Sequence, residues 1–242
     1  MKKVGILSIF LIVANMSCAQ WGKKVKGNGE VVTIERITGD YDGVSVGGWF
    51  DVVLVSGKEG SVSLKGEENL LEYIITEVKD GKLVVKVEKG INLQPSSWKS
   101  GGISVTIPVE EISSLSMSGS GDLEGKTVLK GTDFSTRMSG SGDMEIEVEV
   151  ENLEVSVSGS GDMDLSGNTD TMEVRISGSG DVHAYELDAN HVSATVSGSA
   201  NIRVTANESL KARVSGSGDI SYRGNPEKID SKTSGSGDIS KG

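Results

Sequence analysis

The chain has one cysteine and two histidines in 242 residues, and aromatic side chains make up only 4% of it. A lone thiol cannot close an intramolecular disulfide, so no disulfide framework holds the protein together. His183 and His191 have no nucleophile or metal ligand at a recognisable spacing, and His183, on an outward position of its coil, reads as a solvated surface residue. So few aromatic rings weaken any case for an extended glycan groove. The 24 Lys and Arg are outnumbered by 35 Asp and Glu, and the net charge of −11 argues against nucleic acid and anionic membrane as partners.

The apolar run Val4 to Ala14 is too short to cross a bilayer. Preceded by Lys2 and Lys3 and followed by small residues, it reads as a bacterial secretion signal over residues 1–19. Two processing routes fit. Ser17 and Ala19 suit cleavage before Gln20, whereas Ser17 before Cys18 suits lipidation of that cysteine. Either route removes or modifies the single thiol, and membrane contact is then expected only through such a lipid anchor. The expected location is exported: periplasm, outer-membrane surface or extracellular space.

A repeat dominates what remains. Ser-Gly-Ser-Gly-Asp or a close variant begins at Ser118, Ser139, Ser158, Ser177, Ser197, Ser215 and Ser234, at intervals of 21, 19, 19, 20, 18 and 19 residues. The fifth copy alone departs, reading Ser197-Gly198-Ser199-Ala200-Asn201. On either side of each copy, apolar and polar residues alternate: Leu153, Val155 and Val157 precede the third copy, and Met163 and Leu165 follow it. Period-two alternation marks half-buried strands, and a unit this short fits one coil of a parallel solenoid, not a propeller blade or a helical repeat. The fold class expected is therefore all-β, a right-handed parallel β-helix (a single-stranded β-solenoid) with about 19 residues per coil.

Parity carried through the motif turns its two glycines inward and Ser, Ser and Asp outward. Gly159 and Gly161 then face an interior with no room for a side chain, while Ser158, Ser160 and Asp162 face solvent. Upstream, Val44 to Leu54 aligns without a gap on Val155 to Leu165, which places Asp51 on the repeat's Asp and Trp49 on its second Ser. The solenoid is accordingly extended back towards residue 30 in larger, less regular coils. Within them Glu68 to Tyr73 suggests a short helix, Lys82 to Glu88 and Ile103 to Pro108 suggest strands, and Leu93 to Gly102 suggests a bulging loop. Residues 20–39 form an N-terminal extension, and 40–242 the solenoid domain. In the last coil Ser231 and Thr233 occupy inward positions, which predicts a partly polar end.

The outward column Asp122, Asp143, Asp162, Asp181, Asp219 and Asp238, interrupted by Asn201, is the best candidate for chemistry. Carboxylates about 4.8 Å apart repel by roughly 0.9 kcal/mol in water, so something must offset them. Two answers stand: hydrogen bonds from Gly or Ser amides at each bend, or calcium bridging adjacent coils through Asp122, Asp143, Asp162, Asp181 and Asp219. A second column, Arg137, Arg175, Arg213 and Lys232 among small hydroxyls, reads as a mixed-charge solvated face. Trp49 points outward by parity and is either covered by the 93–102 loop or, with Trp98, a ligand contact. Insertions between coils after Ser118 are too short to wall a cleft, and no catalytic residues are identified.

Val46-Gly47-Gly48-Trp49-Phe50-Asp51-Val52, the stretch from Glu68 to Leu83, the strand Ile103 to Pro108 and the Ser-Gly-Ser-Gly-Asp series together resemble the bacterial DUF2807 family of adhesin-type proteins with a head GIN domain. The resemblance covers roughly residues 40 to 220, and the Gln20 to Gly29 segment is similar to members from Bacteroidota. It implies a right-handed β-helical fold and a cell-envelope location and offers no catalytic residues to carry over; no cofactor is expected. The function expected is a non-enzymatic binding or structural module with an unidentified glycan or protein partner. A calcium-dependent repeat module and a glycan-active β-helix enzyme are the alternatives.

Overall fold

The computed structural model describes residues 22–96 and 102–242. Residues 1–19, expected to be a secretion signal, with Cys18 among them, and Trp21 and Trp98 lie outside them. The strands are β1 (Lys23–Lys26), β2 (Val31–Gly39), β3 (Gly43–Gly48), β4 (Asp51–Ser56) and β5 (Gly60–Glu67). After the single-turn helix α1 (Glu68–Leu71) come β6 (Ile74–Lys79), β7 (Lys82–Val87), β8 (Ile91–Gln94), β9 (Ser104–Val109) and β10 (Ser114–Gly119). Long strands follow, each passing round most of a coil: β11 (Leu123–Gly140), β12 (Met144–Gly159), β13 (Met163–Gly178), β14 (Val182–Gly198) and β15 (Ile202–Gly216). The last are β16 (Ile220–Arg223), β17 (Lys228–Gly235) and β18 (Ile239–Lys241).

From β10 onward every successive pairing is parallel, and equal repeat offsets stack. Leu153 lies beside Met172, Val155 beside Val174, Val157 beside Ile176 and Ser158 beside Ser177. The result is a β-solenoid of about 7 turns with about 19 residues per turn. Side chains at the alternating apolar positions, Val155, Val174, Ala194 and Ala212 among them, are buried in one continuous core. Each buried aliphatic side chain contributes about 1.5–3 kcal/mol relative to exposure, so stability accumulates coil by coil. Apolar positions continue past the motif through Ile146, Val148 and Val150, until the consecutive exposed pair Glu151 and Asn152 inverts the phase. Two polar residues in succession cannot stay on one pleat, and the chain makes a second corner there.

The N-terminal part differs from the larger parallel coils the sequence suggests. Strand β3 stacks on β10 in the register that the gapless alignment implies, Val44 beside Leu115 and Val46 beside Met117. Elsewhere in this part, however, β2 and β5 pair antiparallel, β5 and β9 pair antiparallel, and β6 and β7 form a hairpin. The hairpin follows from Asp80 and Gly81, whose φ values of 51° and 74° are those of a two-residue primed turn. The helix is one turn, shorter than the segment to Tyr73 that the sequence suggests. The segment expected to bulge as a loop from Leu93 begins as β8 and pairs with β1. At the other end β17 is exposed throughout, with Ser231 beside Ala212 and Thr233 beside Val214, as the polar inward positions predict.

Candidate functional site

The corner made by Ser-Gly-Ser-Gly-Asp presents two columns of serine and one of aspartate on one edge of the solenoid. Ser158 and Ser160 are exposed, Asp162 is half-buried, and Gly161 is buried, while Gly159 is half-buried. The expected parity therefore holds, but the reason for glycine is different. A Cβ on Gly161 would lie 1.9 Å from the carbonyl oxygen of Gly142, and one on Gly159 would lie 2.2 Å from that of Gly140. The obstruction is the main chain of the preceding coil, along the stacking axis, not a crowded interior. Gly159 also has φ of +136°, a region L-residues rarely enter.

The aspartates form a ladder. Each main-chain N–H donates to the carboxylate of the aspartate one coil earlier: Asp143 to Asp122 at 3.1 Å, Asp162 to Asp143 at 3.0 Å and Asp181 to Asp162 at 2.8 Å. The series starts at Asp51, which accepts from the Asp122 amide at 3.3 Å, and ends with Asp238 donating to Asp219 at 2.8 Å. The expectation of Gly or Ser donors at the same bend is corrected on this point: the donor is the next aspartate in the stack. Gly and Ser amides are engaged elsewhere, as where Ser160 N–H donates to the Gly140 carbonyl at 2.8 Å. Each carboxylate thus stands in for a main-chain acceptor at a corner, and a hydrogen bond to a charged acceptor, worth about 1.5–3 kcal/mol, outweighs the repulsion between neighbouring carboxylates.

Asn201 preserves the ladder. Its main-chain N–H donates to Asp181 Oδ1 at 2.7 Å, its Nδ2 reaches both Asp181 oxygens at 3.1 Å, and its Oδ1 accepts from the Asp219 amide at 3.2 Å. Among the described residues no group of three or more His, Cys, Asp or Glu side chains is placed to hold a metal ion.

On the solenoid's charged face and around its two histidines the polar contacts are between largely exposed groups. Glu154 meets Arg137 at 3.2 Å and Arg175 at 3.9 Å, a mixed-charge face of small energetic weight. His183 Nδ1 lies 2.8 Å from Arg203 Nη1, and His191 Nδ1 lies 2.9 Å from Ser209 Oγ. The second corner carries amide-to-carboxylate contacts between coils, Asn152 to Asp133 and Asn190 to Asp170, both at 2.9 Å.

Trp49 is half-buried, packs against the core and lines a shallow groove with Asn92, Leu93, Gln94 and Pro95. Strand β8 supplies one wall, which brings the tryptophan and the start of the 93–102 segment together. Trp98, the other candidate contact, falls outside the described residues.

One buried group was not legible in the sequence. Glu67 is 0% exposed, and its carboxylate accepts from the main-chain amides of Gly29 and Ser96. Burial, the largest single influence, pushes the carboxyl up, but the two amides together with the Ser96 hydroxyl outweigh it and hold Glu67 below its ordinary value. A Cβ on Gly27 would lie 2.0 Å from this carboxylate, so glycine there is what lets the chain pass. Glu67 thereby latches the segment after β1 to the one after β8.

The family model described as "Putative auto-transporter adhesin, head GIN domain" (DUF2807) matches residues 40–226, and the chain belongs to this family. Among solved structures, the chain is similar to a "putative adhesin" from Bacteroides fragilis, at 24% identity and a TM-score of 0.80, over 90% of this chain and 99% of that one. It is also similar to a "putative lipid binding protein" from Parabacteroides distasonis, at 27% identity and a TM-score of 0.75, over 91% of this chain and 100% of that one. A "putative adhesin" from Parabacteroides merdae shares the fold at 21% identity and a TM-score of 0.71, over 91% and 99% of the two chains. No curated protein matches the chain. Among the described residues no helix is long and apolar enough to cross a membrane.

Proposed function

We propose that this protein is a non-enzymatic, adhesin-type binding module of the bacterial cell envelope, exported and either cleaved before Gln20 or anchored through a lipid on Cys18, with a surface glycan as its ligand. The observation that carries the glycan reading is the groove at Trp49. A half-buried indole lining this groove with the side-chain amides of Asn92 and Gln94 combines apolar surface with donors and acceptors, the chemistry that recognises a sugar's C–H face and hydroxyl edge. Membership of an adhesin-type family supports the same reading. The aspartate ladder is then structural: its Oδ1 atoms are committed to amides of the next coil.

The test is a glycan array probed with the purified protein and with Trp49→Ala, each with and without calcium, alongside a vesicle flotation assay. The reading expects a bound glycan whose affinity falls about tenfold or more in Trp49→Ala and is indifferent to calcium. Binding unchanged by Trp49→Ala, binding that needs calcium and disappears in Asp143→Asn with Asp162→Asn, or capture by lipid vesicles with no glycan bound would each overturn it.

A further inference from the structure

Strand β2 ends one sheet of the column: among the described residues it pairs only with β5, which leaves its other edge without a neighbouring strand. Its residues alternate between the two faces, Val32, Ile34, Arg36 and Thr38 half-buried and Val31, Thr33, Glu35 and Ile37 exposed. The described residues include three exposed large hydrophobic side chains, and two of them are on this strand: Ile37 at 93% and Val31 at 40%.

The edge is held rigidly. Arg36 reaches across the end of the column, its guanidinium donating to the carbonyls of Leu71, at 2.6 Å, and Ile74 and to Thr76 Oγ1 at 3.2 Å, which ties β2 to α1 and β6. An inward-pointing charge often protects an edge strand from pairing. Here the guanidinium is committed to those carbonyls and leaves the edge open.

We propose that this edge pairs antiparallel with β2 of a second copy, in the register centred on Ile34, to join two columns end to end. Directly opposed residues in an antiparallel pair share a face, so exposed odd-numbered residues must meet odd-numbered ones. Centred on Ile34, the pairing sets Val31 of each copy opposite Ile37 of the other and Glu35 opposite Thr33, which covers both exposed apolar side chains and opposes no like charges. Centred on Glu35, it places the two Glu35 carboxylates face to face and Ile37 against Thr33. Centred on Thr33, it carries Ile37 past the strand to Gly29. Only the first register is self-complementary, and a two-fold contact of this kind closes on itself as a dimer. Nothing in this inference depends on the glycan reading.

Sedimentation velocity on the purified protein tests it, with Ile37→Lys as the disrupting variant; at 93% exposure the lysine is tolerated by the monomer. The parent is expected to dimerise with concentration and Ile37→Lys to weaken this by about tenfold or more. The register is read by oxidising Val31→Cys and Ile37→Cys proteins separately and mixed, with the parent as the control for Cys18. The mixture is expected to form a disulfide-linked dimer well above either protein alone. A parent that stays monomeric at about 100 μM, a dimer indifferent to Ile37→Lys, or single-cysteine proteins that cross-link as readily as the mixture would overturn the proposal.

Discussion

The main-chain amide of Asp162 donates to the carboxylate of Asp143, 3.0 Å away and one coil earlier. The same bond recurs along the stack and makes the aspartate an inter-coil connector. Removing the acceptor should therefore cost more than removing the charge. Asp143→Ala, which orphans the Asp162 amide, is expected to destabilise by about 1–3 kcal/mol, and Asp143→Asn by much less, because Asn201 already fills this role. Urea unfolding of the two variants decides; equal losses would mean that charge, not the amide acceptor, matters.

Calcium gives a second reading of the same residues. With the carboxylates committed to amides, millimolar calcium is expected to raise the melting temperature no more than magnesium does, since screening responds to charge and not to ligand geometry. A calcium site at 100 times its Kd would instead add about 2.7 kcal/mol, and the resulting shift would vanish in Asp143→Asn with Asp162→Asn.

The glycines at the corner are not equivalent to glycines elsewhere. Gly161→Val drives a side chain into the Gly142 carbonyl and is expected to destabilise by at least about 3 kcal/mol, at the upper end of overpacking. A Cβ at Gly131 meets nothing within 4 Å, and Gly131→Ala should be neutral or stabilise by up to about 1 kcal/mol. Thermal melts of both proteins test the contrast.

Glu67 should make the N-terminal latch sensitive to acid. Its folded pKa lies below the ordinary glutamate value, so the stability it contributes is present above that value and lost as pH falls through the depressed one. Glu67→Gln is expected to lower stability near pH 7 by about 1–3 kcal/mol, and the gap from the parent should narrow as pH falls below the ordinary glutamate value. A gap that persists in acid would show that packing, not the carboxylate, is what the substitution removes.

The last coil covers the apolar row Leu210, Ala212 and Val214, which are at most 3% exposed. Deleting residues 226–242 uncovers that row together with the edge of β15, and concentration-dependent association by size-exclusion chromatography is expected. A truncated protein that elutes as the parent does would assign that coil no protective role.

Alternation at Leu153, Val155 and Val157 and the recurring motif were enough to determine strands, their inward faces, a parallel stack and its period, because those properties depend on spacing along the chain. The gapless match of Val44 to Leu54 likewise gave the repeat register of one upstream coil, but that Val44 lies beside Leu115, far away in sequence, was decided by the stack. The Asp80-Gly81 turn was also present in the sequence, as a short hairpin signal masked by the stronger repeat. Other features have no local signature. Which amide meets Asp143, which carbonyl excludes a side chain at Gly161, and why Glu67 is buried all depend on backbone from another coil or a distant loop. Only the tertiary structure decided them, since a hydrogen-bond partner about one coil away is selected by the lateral register of the stack, and periodicity along a single strand carries no information about what lies 4.8 Å above or below it.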